Sequence, residues 1–225
     1  MLFALANTVL KHYEEVIDEC LKYGIEPLIT MSHDEAPFGL TKKCNSWVSR
    51  DMIGYFLNYC RAIFTRYKGK VKYWLTFNEI NSSSTPMGAL LNQGILNDLE
   101  NPTEFMKQPD YPQQRYQGLH HMFVAGALAV KMAHEIDPEY KVGNMMIYSA
   151  SYPLTCKPED VLKNQQYNRI MNYFCSDVQC MSEYAKRGGF IYVRRYDDGT
   201  GDFARLKKKS FYWYKDVIAS NGEKL

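Results

Sequence analysis

The sequence lacks most of the features that would remove it from the ordinary globular class. No run reaches the roughly 18 apolar residues that a membrane span needs, and no internal repeat is visible. Neither sign of charge dominates: 27 Lys and Arg face 25 Asp and Glu, for a net charge of +2. That balance makes no case for nucleic acid or a membrane surface as partner. The one basic run, Lys207-Lys208-Lys209, suits a solvated helix entrance better than a binding patch. Cys20, Cys44, Cys60, Cys156, Cys175 and Cys180 form no C-x-x-C pair and no metal-ligand spacing with the histidines. They read as reduced thiols of a cytosolic protein, and neither metal nor cofactor is expected. Residues 2–6 are apolar, but no Lys or Arg precedes them and no clear cleavage site follows, so no signal peptide is expected.

What is present fits one globular domain: 225 residues, 46% of them hydrophobic. Tyr13, Val16, Ile17, Cys20 and Leu21 recur at helical spacing, and Gly24 follows as a stop. Residues 25–31 are a short apolar segment with a strand entry at Pro27, ending in Ser32-His33-Asp34-Glu35-Ala36-Pro37. Ser49 suits an N-cap, and Ile53, Phe56, Leu57, Cys60, Ile63, Phe64 and Tyr67 make the apolar stripe of a core-facing helix that ends at Gly69. Residues 82–115 are polar and rich in Asn, Gln, Pro and Gly, too long for an ordinary connector. Helix resumes near Arg115 and stops at Asp137-Pro138. His120 and His121 lie about 100° apart on that helix and read as structural. A further strand is expected over 142–147, and Pro158 opens a helix running through Ile170 and Phe174. Helix and strand alternate, which predicts parallel strands with crossovers and an α/β layout.

Between the second and third helices of that alternation lies Tyr73-Trp74-Leu75-Thr76-Phe77-Asn78-Glu79-Ile80-Asn81. Its β-branched and aromatic residues suit a buried strand, and it ends abruptly in the polar pair Asn78-Glu79. A carboxyl group at the C-terminal end of such a strand stands where barrel enzymes place their chemistry. The residues alone also admit a strand-end Glu that salt-bridges or faces water. Likewise, a lone His33 after a strand is most simply a hydrogen-bonded structural residue.

The wording of this stretch resembles a known family. Thr76-Phe77-Asn78-Glu79 is similar to the acid/base motif of family 1 glycoside hydrolases, the retaining β-glucosidases, and residues 70–81 resemble the 6-phospho-β-glucosidase branch. The resemblance implies that Glu79 protonates the departing glycosidic oxygen, that Asn78 holds the sugar 2-hydroxyl, and that His33 contacts the sugar in the −1 subsite. It also implies that the segment after residue 82 helps to roof the substrate cleft. The likeness extends from residue 10 to about 187. At residues 189–225 it resumes with what resembles the family's last stretch, including a helix around Ser210-Phe211-Tyr212-Trp213-Tyr214-Lys215.

The implied fold is a partial (β/α)8 TIM barrel, with about three strand-helix units plus the family's C-terminal helix. The chain reads as one partial domain over 1–225, truncated and internally deleted between 187 and 189. A retaining glycosidase also needs a second carboxylate about 5 to 5.5 Å from the first. The family carries it in a Thr/Val-Glu-Asn-Gly motif, which is absent here; Glu183 and Asn221-Gly222-Glu223 do not supply it. For the phosphate, Lys186 stands at the family's Lys position, with Gln179 and Gly188 where Ser and Tyr are expected. The expected partner is a phosphorylated β-glucoside delivered by a sugar-importing phosphotransferase system, hence a cytoplasmic location. Uncovered barrel edges would favour an oligomer or aggregate, and an inactive sugar-binding remnant is the alternative.

Overall fold

The computed structural model describes residues 2–179, 191–193, 205–207 and Tyr212, and the chain divides into two units, residues 1–149 and 150–225. The first unit opens with α1 (Leu2–Lys22), longer at its N-terminal end than the residue spacing alone predicts. Its stop is the expected Gly24, at φ 70°. The Gly24 N–H donates to Leu21 O at 3.0 Å and the Ile25 N–H to Cys20 O at 2.9 Å. Those two bonds satisfy the last carbonyls of the helix in a turn that only a residue without Cβ adopts readily.

Then follow β1 (Leu28–Ser32), α2 (Phe38–Cys44), α3 (Asp51–Arg66) and β2 (Tyr73–Phe77). Ser49 Oγ accepts the Asp51 N–H at 3.2 Å, so it stabilises the entrance of α3 from just outside it. The unit closes with α4 (Pro86–Leu91), α5 (Pro112–Ile136) and β3 (Lys141–Gly143). The three strands form a sheet in the order β1-β2-β3, parallel throughout, with Leu28 and Lys141 both opposite Tyr73. This is the expected incomplete parallel sheet with helical crossovers.

Residue alternation along β2 sets the core. Trp74 and Thr76 are buried, whereas Tyr73 is exposed and Leu75 half-buried. Trp74 meets Phe64 of α3 edge-on at 5.0 Å and Tyr140 at 5.8 Å, and the Tyr140 hydroxyl donates to Phe64 O at 2.8 Å. At the other end of β2, Phe77 stacks on Phe56 at 4.7 Å and meets Trp47 edge-on at 5.5 Å. Each buried ring of this kind contributes about 1.5–3 kcal/mol. Polar bonds join α1 to the end of α3 and the residues just after it: Tyr67 Oη donates to Leu10 O at 3.0 Å, and Glu14 pairs with Arg66 and, at 3.0 Å, with Lys70.

Two expectations differ from the structure. The third strand is shorter than 142–147, because Met145 and Ile147 follow the C-terminal end of β2 by bonding to Phe77, Ile80 and Asn81 rather than by continuing the ladder. The segment 82–115, expected as a loop, holds α4 and starts α5 three residues early. Thr85 caps α4, its Oγ1 accepting the Gly88 N–H at 3.1 Å, and Pro86 and Pro112 sit at the first helical positions. A proline there loses no hydrogen bond, because that N–H has no helical partner anyway. The remainder is cross-tied by side chains: Asn45 accepts the Leu96 N–H at 2.9 Å, and Gln108 accepts that of Asp98 at 2.9 Å.

In the second unit α6 (Pro158–Asn168) passes through one wide π turn (Arg169–Tyr173) into α7 (Phe174–Gln179), covering the expected helix. Pro158 at the first turn, with Glu159 and Asp160 beside it, suits the positive end of the helix dipole. Strands β4 (Ile191–Val193) and β5 (Arg205–Lys207) pair antiparallel. Three-residue ladders leave too little pattern to foresee. Apart from Tyr212, which is helical, the expected C-terminal helix lies outside the described residues, as do Glu183, Lys186, Gly188 and 221–223.

Candidate active site

The three candidate residues come to one end of the sheet. His33 follows β1 directly, and Asn78-Glu79 follow β2; Ser32 and Phe77 are register partners. The Asn78 N–H donates to Ser32 O at 2.9 Å, so the two strands are still joined where the polar residues begin. In a parallel sheet this C-terminal end collects the loops that carry chemistry.

Each of the three side chains keeps its polar group free among the described residues. Asn78 is 5% exposed, yet its Oδ1 has no hydrogen-bond partner. Buried amide oxygens are nearly always satisfied, so this one is open to a hydrogen-bond donor at the strand end. The half-buried Glu79 carboxylate has no hydrogen-bond or ion-pair partner among the described residues. The His33 ring is exposed, while its backbone N–H donates to Glu35 Oε1 at 3.0 Å.

Glu79 is also conformationally unusual, with φ 38° and ψ 44°. A non-glycine residue in the left-handed region costs on the order of 1–2 kcal/mol, so its surroundings must hold it there. Asn92, buried beneath the turn, does so. Its Nδ2 donates to Glu79 O at 3.0 Å, Asn78 O at 3.2 Å and Ser82 Oγ at 2.9 Å. From the β3 side, Met145 N donates to Phe77 O at 3.0 Å and Met145 O accepts the Ile80 N–H at 3.1 Å. Asn81 clamps the same segment by bonding both polar groups of the Ile147 backbone, at 2.8 and 3.0 Å. One further residue tightens the support: a Cβ added at Gly88 would lie 1.9 Å from Ser82 O, so only glycine lets α4 approach this turn.

Sequence reasoning missed these supporting residues. Asn92 and Gln93 lie in the stretch taken for a loop, and the available signal was the Thr85-Pro86 helix start just before them. Gln93 Nε2 donates to Ser83 O at 3.1 Å and Arg115 O at 3.0 Å, tying the turn to α5. His121 is structural, as expected: Nδ1–H donates to Trp47 O at 2.9 Å, and Nε2 lies 2.9 Å from the Gln117 amide. Among the described residues there is no cluster of His, Cys, Asp or Glu fit for a metal ion, and no helix is long and apolar enough to cross a membrane.

Comparison with known proteins bears directly on this site. Residues 4–187, and again 178–223, match the sequence profile of Glycosyl hydrolase family 1. This chain belongs to that family. It is 45% identical over 177 residues to a 6-phospho-beta-glucosidase of Clostridium longisporum, covering 79% of this chain and 35% of that protein. It is 43% identical over 229 residues to a phospho-cellobiase of Klebsiella oxytoca, covering 96% and 45%. Among solved structures, the family 1 β-glucosidase from Thermotoga maritima superposes with a TM-score of 0.62 at 26% identity, over 74% of this chain and 35% of that one. The family 1 chain described here therefore has the fold of a partial (β/α)8 barrel, and it spans less than half the length of these curated relatives.

Proposed function

We propose that this chain carries the acid/base side of a retaining glycosidase site for 6-phospho-β-glucosides. In this reading the Glu79 carboxyl gives its proton to the departing glycosidic oxygen as the anomeric carbon is attacked. It then takes a proton from the water that releases the sugar. Asn78 Oδ1 accepts a hydrogen bond from the sugar 2-hydroxyl, and the His33 imidazole bonds a hydroxyl in the −1 subsite. The observation that carries the reading is the buried, unpartnered Asn78 oxygen next to a Glu79 carboxylate held in a left-handed turn. A hydroxyl donor from a sugar satisfies that oxygen. The phosphorylated substrate is supported by the names of the relatives, and a substrate phosphorylated on import places the reaction in the cytoplasm.

The retaining mechanism needs a nucleophilic carboxylate as well, and the sequence holds no Thr/Val-Glu-Asn-Gly motif. General acid catalysis alone supplies about 10²–10⁴-fold, far short of glycosidase rates. The chain by itself is therefore expected to bind sugar without turning it over at a useful rate. Hydrolysis of an aryl 6-phospho-β-glucoside by the chain and by Glu79→Gln should stay close to background in both. Affinity for glucose 6-phosphate should fall about five- to tenfold in Asn78→Ala, the worth of one buried hydrogen bond. Robust turnover that depends on Glu79 would overturn the missing nucleophile. Sugar binding indifferent to Asn78→Ala would overturn the site.

A further inference from the structure

Beside the C-terminal end of β1 the structure contains a cavity of about 250 Å³ that the glycosidase reading does not use. It opens between the segment after β1, α2 and one side of α3. Its wall is mainly aromatic: Trp47, Tyr55, Phe56 and Tyr59 line it, with Met52 below them. Trp47, Met52 and Phe56 are buried, and the Trp47 and Phe56 rings pack against each other and against Phe77, which fixes the floor. For scale, a dry cavity of about 150 Å³ already accepts a benzene ring.

One charged side chain lines this wall, Glu35, and no Lys, Arg or His does. Its Oε1 is engaged by the His33 N–H at 3.0 Å, which fixes the side chain at the rim; Oε2 has no partner among the described residues. The Tyr55 ring is already engaged, because the Lys43 ammonium donates to its hydroxyl at 2.7 Å and lies 5.2 Å from its centre, which leaves Tyr59 as the open ring beside Glu35.

From these observations we infer that the cavity is a binding site for a small apolar organic cation, an aromatic or branched alkyl body carrying an ammonium group. The body fills the space between Trp47, Phe56 and Met52. The ammonium lies against the face of Tyr59, within reach of the free Glu35 oxygen. Aromatic faces attract cations through their quadrupole, and a low-dielectric wall strengthens the pull of a nearby carboxylate. An anion of the same size meets Glu35 with the wrong sign, and a neutral ring gains only the apolar contact. This site is separate from Glu79, so it stands or falls independently of the glycosidase reading.

The test titrates the chain with benzyltrimethylammonium, phenylacetate and benzyl alcohol, following the fluorescence of Trp47 in the cavity wall. Binding of the cation should saturate in the millimolar range or below and exceed that of phenylacetate by about tenfold or more. Glu35→Gln keeps the acceptor for the His33 N–H and removes the charge. It should weaken the cation about five- to tenfold and leave benzyl alcohol within about twofold. Tyr59→Leu, at a half-exposed rim position, keeps apolar volume and removes the ring face; it should weaken the cation about threefold and spare benzyl alcohol. Phenylacetate binding as tightly as the cation, or no saturable cation binding, would overturn the inference. So would cation affinity unchanged in both variants, with circular dichroism showing each folded.

Discussion

Asn92 is the residue on which the geometry of Glu79 depends most, and its replacement has a calculable effect. Its amide nitrogen offers two hydrogens to three oxygens, those of Asn78, Glu79 and Ser82, and the side chain is 6% exposed. In Asn92→Ala two net hydrogen bonds of about 1 kcal/mol each disappear, and at least one buried carbonyl is left without a donor at a further cost of about 1–2 kcal/mol. The expected loss is therefore about 2–4 kcal/mol, with Glu79 released from its left-handed conformation. Asn92→Asp is sharper, because it keeps the shape and replaces the donors with an acid facing three oxygens. Ionisation is opposed in the folded state, so the acid's folded pKa rises above its unfolded value of about 3.9. A raised acid is penalised only where the unfolded chain would ionise. Stability relative to the parent therefore falls as pH rises from about 4 towards the folded pKa, and the penalty is full above it. Urea unfolding followed through Trp47 and Trp74, both buried in this unit, measures each case at acid and neutral pH. Asn92→Ala should cost similar amounts at both, and Asn92→Asp distinctly more at neutral pH. A loss under about 0.5 kcal/mol in the alanine variant, or a pH-independent aspartate variant, would refute the reasoning.

Three further outcomes follow from other parts of the fold. Lys70 and Arg66 bond the Glu14 side chain and hold its carboxyl below 4.5, while Asp18 and Glu14 hold Lys70 above 10.5. The first contribution is lost as pH falls through the folded value of Glu14, the second as pH rises through that of Lys70. Hydrogen exchange in α1, corrected for its intrinsic rate, should thus quicken at both extremes and with added salt; indifference to both would exclude these pairs as its anchor. Burial pushes the thiols of Cys60 and Cys175 up to about 12, whereas Cys156 is exposed. Iodoacetamide at mildly alkaline pH should label Cys156 and spare the other two until urea is added, and equal labelling by peptide mass would contradict the packing. Finally, Leu28 and Tyr73 are register partners on one sheet face and are 60% and 39% exposed. Parallel sheets are normally covered on both faces, so the purified chain should self-associate or bind a hydrophobic dye, and a sharp monomer that ignores the dye would count against this.

The sequence by itself determined the elements whose signals are local. The apolar stripe from Ile53 to Tyr67 specifies α3 because period 3.6 puts those residues on one face, and Gly24 and Gly69 stop helices because both take positive φ. The wording of residues 70–81 was enough to place the family, and the helix-strand alternation was enough to require parallel strands. Tertiary structure decided the rest. Nothing local marks Asn92 as the group beneath Glu79, since its three acceptors lie 10 to 14 residues away and meet it only once α4 packs against the turn. Past Gly143 the chain is held by Phe77 and Ile80 at Met145 and by the Asn81 side chain at Ile147, the last a contact across 66 residues. The aromatic cavity beside Glu35 is likewise invisible in sequence, where Phe56 reads as core and nothing marks Trp47 or Tyr59 as its neighbours. Periodicity tells which side of a helix is apolar; only packing decides whether that side is filled by the chain itself or left open to something else.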